Sequence, residues 1–286
     1  MKSKAKAHGA GTIIAAFATG CGAAFGADLW KKVEVELFEQ KRVKVDFPEG
    51  LSLPDYCVRR VLSRYNTNFD YRIKELEDQI PRAVGLKSSS TIANATVLAA
   101  ADAVSRALGK KMPNDIALVN LGVDAAFDAK VTVTGALDDA TASYFGGVVI
   151  TDNLGRKLIK RSKVPDLSVV ILVPEGQTLS GSVKVSELKK MSKEIGFAWE
   201  RAKSGRILEA LTINGMMHAL AFGHDPAPAI EALRAGALAS GLSGTGPATV
   251  ALCRKEDVSS VKSAFSAFDG EILTTKTTNE KSKVMG

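Results

Sequence analysis

The chain of 286 residues is poor in the residue types that build disulfide frameworks and transition-metal sites. Its three cysteines, Cys21, Cys57 and Cys253, are odd in number and widely scattered. That excludes a small stapled secreted fold and suits a reducing compartment, so a cytoplasmic protein is expected. The three histidines, His8, His218 and His224, have no Cys/His pairing at zinc spacing, and His218 and His224 do not share a helical face. All three read as structural or surface residues, and no transition metal is expected. No arginine-rich run or aromatic–basic alternation occurs, which argues against nucleic acid as a partner. No continuous apolar stretch is long enough to cross a bilayer as a helix, so no membrane partner is expected. The Walker spacing G-x-x-x-x-G-K-[ST] is absent, and so are internal repeats.

What is present is ordinary globular composition, 45% apolar and 24% charged, enough for one large domain or two moderate ones. The formal charge of +7 is spread along the length and fits an anionic small ligand at least as well as nucleic acid. The opening "MKSKAKAHGAGTIIAAFATGCGAAFGADL" resembles a signal peptide in its lysines and apolar run. Gly9, Gly11, Gly20, Gly22 and Gly26 interrupt that run. The preferred reading is a strand, "GTIIAAFA" at 11–18, followed by a glycine loop, "TGCGAAFGAD".

Further strands are expected at 33–38 and 42–47, close enough to pair antiparallel, and at 69–76. A helix opened by Pro54 runs over 54–66, with Val58, Val61, Leu62 and Tyr65 on one face. Val97, Ala101, Val104 and Leu108 step by four, three and four toward Gly109, a helix with a glycine stop. Pro113 starts another helix to about Ala126. "KVTVTGALDDATASYFGGVVITDN" then reads as strand, acidic loop, short helix, double glycine and strand. Beyond the "KRSKVPD" stretch at 160–166 come a buried strand at 167–176 and helices near 185–203, 206–222 and 227–239. A glycine loop then leads into a strand, followed by a last helix, a last strand and a polar, loose tail. The expected class is α+β in two lobes, 1–163 and 164–286.

Three glycine-rich stretches carry chemistry. "PRAVGLKSSS" at 81–90 sits at a loop-to-helix junction, where unpaired N–H groups and partial positive charge suit polyphosphate. Its serines could equally serve as plain helix caps, but one would suffice for that. "TGALDDATASYFGG" carries Asp138 and Asp139, either a helix cap or a base with a metal partner. "GLSGTGPA" at 241–248 is either a close anion contact or a plain turn into a strand.

Taken together, these stretches resemble the GHMP kinase superfamily, whose phosphate loop has the form P-x-x-x-G-L-G-S-S-A-A. Pro81, Gly85, Leu86, Ser88 and Ser89 keep that pattern, and Lys87, Ser90 and Thr91 depart from it. "GLKSSS", the acidic motif, "GLSGTGPA" and "TGCGAAFGADL" look most like the archaeal shikimate kinase branch, over residues 9 to 275. That branch usually has lysine where this chain has Cys21.

The resemblance implies a two-lobed α+β fold with ATP between the lobes, acting on shikimate with ATP and Mg²⁺. It implies a phosphate cradle of Pro81, Gly85, Leu86, Lys87, Ser88, Ser89 and Ser90, closed by Gly244, Thr245 and Gly246. Asp138 or Asp139 would be the base, Ser89 and Asp128 the metal contacts, and Thr19, Gly20, Gly22 and Asp28 the substrate wall. Homoserine or mevalonate kinase chemistry, and a non-catalytic binding protein, are the alternatives.

Overall fold

The computed structural model describes residues 1–41, 44–175 and 185–286. Two long strands open the chain, β1 (Lys2–Ile14) and β2 (Cys21–Lys41), paired antiparallel from Lys2↔Glu36 to Ile14↔Ala23. Alternation explains the outer half of β2. Val33, Val35 and Leu37 point inward and are at most 2% exposed, while Glu34 and Glu36 between them face outward. The far edge of β2 is shared. Its second half pairs with β3 (Asn68–Asp78), and Cys21–Phe25 pair with β4 (Val148–Asp152), which pairs with β5 (Lys157–Ser162).

Helices α1 (Leu53–Arg64), α2 (Ser88–Leu108), α3 (Asp115–Asp128) and α4 (Leu137–Phe145) cover one face of this sheet. The alanine run of α2 lets it lie close across both β1 and β2. Gly109 ends it in the left-handed region at φ 62°.

The second sheet is antiparallel, formed by β6 (Ser168–Val173), β7 (Ala239–Leu242), β8 (Thr249–Cys253) and β9 (Glu271–Lys276) in the order β7-β8-β6-β9. Helices α5 (Val185–Lys190), α6 (Ser192–Lys203) and α7 (Ile207–Phe222) join it to the first lobe, with α7 touching both β1 and β7. The shared core includes Ile13, Phe25, Ile150, Ile171 and Leu211. Helices α8 (Ala227–Arg234) and α9 (Val258–Phe265) cover the outer face.

Several local expectations differ from the structure. The strand expected at the head of "KVTVTG" is absent, since residues 130–134 carry no strand, and the expected acidic loop is the first turn of α4, which holds Asp138 and Asp139. The stretch expected to be a loop after Cys21 is strand, because Gly22 and Gly26 sit where α4 and the 278 segment press against β2. Of the strand expected at 42–47, residues 44–47 carry no strand, and 42–43 lie outside the described residues. The tail is pinned: Thr278 N–H donates to Gly26 O at 2.8 Å, and Ser282 N–H donates to Tyr144 O at 2.7 Å. β10 (Lys283–Met285) then pairs with β1, Lys4 opposite Met285.

Candidate active site

The cleft is built on the N-terminus of α2. Lys87 is the N-cap, in the left-handed region at φ 64°, and no side chain caps the helix. The first backbone bond is Thr91 N–H to Lys87 O at 3.0 Å, so the amides of Ser88, Ser89 and Ser90 lack helical acceptors. The serines are therefore not caps, and these donors stand ready for an anion.

The loop leading to α2 is stitched to the glycine loop after β7. Ser243 Oγ donates to Gly85 O at 2.9 Å, and Ala248 N–H donates to Val84 O at 3.2 Å. Gly85 has φ 89°, and a Cβ on it would fall 1.9 Å from Ser243 O, so only glycine permits this approach. Gly246 N–H returns to Ser243 O at 3.0 Å, and His224 Nε2–H donates to Thr245 O at 3.1 Å. The two loops thus make one wall.

The opposite wall is the first turn of α4. The Lys87 side chain is only 8% exposed, with Nζ 3.1 Å from Asp139 Oδ1. That oxygen is buried and makes no directed hydrogen bond, so the contact is ionic. Asp138 is 3% exposed. Asn153 Nδ2 donates to Asp138 Oδ1 at 2.8 Å, and Asp138 N–H donates to Asn153 Oδ1 at 3.3 Å. Gly22 makes room for this carboxylate, because a Cβ there would lie 2.5 Å from Asp138 Cγ and Oδ2. Burial, and next the Asp139 charge, push the Asp138 carboxyl up to about 7, against the pull of Lys87 and Asn153. Asn94 ties the two helices together: its Nδ2 donates to Ala140 O at 2.9 Å and to Ser143 Oγ at 3.1 Å.

Most of the residues singled out in the sequence line this one cleft: 85 to 90, Asp138, Asp139, Gly244 and Thr245. Thr19, Gly20 and Gly22 stand behind Asp138 rather than on the lining. Cys21 N–H donates to Thr19 Oγ1 at 3.2 Å, and Asn153 N–H donates to Gly20 O at 2.8 Å. Asp28 is elsewhere on β2, with Oδ1 3.6 Å from His8 Nδ1 and its carbonyl accepting from Thr275 Oγ1. Asp128 does not reach the cleft either. Both its oxygens hold Arg60, a pairing across 68 positions that nearness in the chain does not reveal. Asn153, Asn94 and the rim residues Val131 and Val133 join the site without a sequence motif of their own.

His218 lies close enough for Lys87 to disfavour its protonation. Mainly through burial, its value falls from 6.5 to about 4, and buried His8 falls likewise. A depressed base contributes stability that is complete above about 6.5 and is lost as pH falls toward 4. His218→Gln should lose less unfolding temperature between pH 7 and pH 4.5 than the native chain. An equal loss in both would remove His218 from this account.

Family models agree with the geometry. The GHMP kinases N terminal domain matches residues 52–147, and the GHMP kinases C terminal domain matches residues 226–270. A protein of Methanothermobacter thermautotrophicus named shikimate kinase is 37% identical, covering 100% of this chain and 99% of its own length. The shikimate kinase of Methanothrix thermoacetophila is 41% identical (99% and 96% covered), and that of Pyrococcus furiosus 37% identical (97% and 100%). Among solved structures, a Lactococcus lactis galactokinase complexed with galactose superposes with TM-score 0.71 at 15% identity, covering 99% of this chain and 95% of that one. The Methanococcus jannaschii mevalonate kinase superposes with TM-score 0.69 at 16% identity and 98% coverage of both.

The protein is an ATP-dependent small-molecule kinase. It belongs to the GHMP kinase family and has that family's two-lobed α+β fold.

Proposed function

We propose that this chain is a shikimate kinase, moving the γ-phosphoryl group of ATP to the 3-hydroxyl of shikimate to give shikimate 3-phosphate and ADP. The observation that carries this reading is identity of 36% to 41% over nearly the whole chain to archaeal proteins of that name. Phosphoryl transfer asks for alignment, charge neutralisation and a proton acceptor. The open amides of 88–90 would hold the polyphosphate, with Gly244 and Thr245 closing over it. Val131 and Val133, 42% and 51% exposed on the rim, offer an apolar surface to the adenine.

Asp138 is the better base of the two aspartates. Its proton affinity sits near the working pH, where general bases act most effectively, whereas Asp139 is paired with Lys87. The acceptor would then lie in the cleft that Asp138 lines, with the loop at 19–22 behind it.

No group of three His, Cys, Asp or Glu side chains able to cage a metal occurs among the described residues. Mg²⁺ keeps several waters and takes ligands from phosphates, so it asks for few protein ligands. The Ser89 hydroxyl, exposed at the head of α2, fits as a single protein ligand. When bound, Mg²⁺ would offset the triphosphate charge.

ADP release measured with shikimate, homoserine and mevalonate tests the reading. Turnover with shikimate should exceed the others by at least about a hundredfold, close to 2.7 kcal/mol of discrimination. Preference for either rival alcohol would replace this reading, and no turnover with any would favour a binding protein of the same fold. The scattered, free cysteines support a cytoplasmic setting.

A further inference from the structure

Asn153 follows the last residue of β4, carries no motif and is 4% exposed, yet four segments meet on it. Its Nδ2 donates to Asp138 Oδ1 at 2.8 Å and approaches Thr134 Oγ1 at 3.4 Å. Its Oδ1 accepts from Asp138 N–H at 3.3 Å and from Thr151 Oγ1 at 2.7 Å. Its own N–H donates to Gly20 O at 2.8 Å.

The amide can face only one way. Turned over, it would set its NH₂ against the Asp138 N–H and its carbonyl against the carboxylate. Thr151, fully buried, fixes that orientation from the strand below.

We propose that Asn153 is the positioning residue of phosphoryl transfer: it holds one oxygen of Asp138, leaves the other, which has no hydrogen bond among the described residues, for the acceptor hydroxyl, and ties that carboxylate to the loop at 19–22. This rests on the reading of Asp138 as base. The consequence is mechanical as well as electrostatic. The base and the loop at 19–22 are tied to a single residue, so their spacing is fixed.

The donated bond also favours the ionised carboxylate. The charged groups facing Asp138 are its neighbour Asp139 and, from the head of α2, Lys87. Asn153, Thr151 and Thr134 complete the polar surroundings without charge. Losing the Asn153 donor therefore leaves Asp139 less opposed and raises the proton affinity of Asp138.

The test is the pH profile of kcat/KM for shikimate in Asn153→Asp and Thr151→Val. Asn153→Asp keeps an acceptor for the Asp138 amide but replaces the donor with a carboxylate. Its acid limb should move up by about one pH unit or more, with activity at pH 7 down about tenfold and largely recovered at pH 9. The KM for ATP should stay within about threefold of the native value. Thr151→Val is close to isosteric and keeps the amide itself, so it should move the limb in the same direction by less.

An unmoved acid limb in both variants, with activity lost equally at every pH, would assign Asn153 a packing role and overturn the proposal. Failure of the underlying reading looks different. Asp138→Asn would then turn over shikimate at the native rate, and the limb would belong to another group.

Discussion

Asp138→Asn should lower kcat for shikimate by about 100- to 10,000-fold while leaving the KM for ATP near its native value. The side chain keeps its size, so it still fits under Gly22 and beside Asn153. What disappears is the proton acceptor. Asp139→Asn should behave differently, because it releases Lys87 at the head of α2 and so acts mainly on ATP.

A second readout tests the raised proton affinity itself, independently of turnover. A carboxyl whose folded-state value is raised, here to about 7, binds its proton more tightly folded than unfolded. Its contribution to stability is therefore lost as pH climbs from about 4 through about 7. Asp138→Asn removes that loss, so the inactive variant should unfold at a higher temperature than the native chain at pH 8. Functional carboxylates commonly carry such a cost. Kinetics within about tenfold of native, roughly 1.4 kcal/mol, would remove Asp138 from the chemistry.

Gly85→Ala is the other change with a large expected effect. A Cβ at 1.9 Å from Ser243 O meets backbone, and φ 89° is strained for any other residue. The loop must withdraw, and with it the bond from Ser243 Oγ to Gly85 O. The expected result is destabilisation of about 2 kcal/mol or more and a rise of at least about tenfold in the KM for ATP. Gly109→Ala is the control: φ is positive there too, at 62°, but nothing lies within 4 Å of the added carbon. It should cost only about 1 kcal/mol and leave ATP kinetics alone. If the two variants behave alike, the contact with Ser243 is not what holds the loop.

Much of this was legible in the chain because the signals were local. The α2 pattern and its Gly109 stop are a matter of periodicity, and a cluster of serines after Gly85 marks an anion-ready helix start. What escaped was set by distant contacts. Gly22 and Gly26 read as loop residues because strands rarely favour glycine, yet each lets another segment approach β2. Asp128 reads as a metal contact in the sequence because Arg60, which holds both its oxygens, stands 68 positions earlier. The tail looked loose because its polar residues are satisfied by partners in β1, β2 and α4. Asn153 has no pattern around it, and only assembly brings it to Asp138.

The pairing of β10 with β1 also dictates an order of events. β1 is made long before β10, so Lys4–Lys6 keep an unsatisfied ladder on that side until residues 283–285 have been made. Exposed ladders of that kind recruit other chains. Trimming those few residues should therefore show itself first as clumping of newly made protein, well before any fault in turnover.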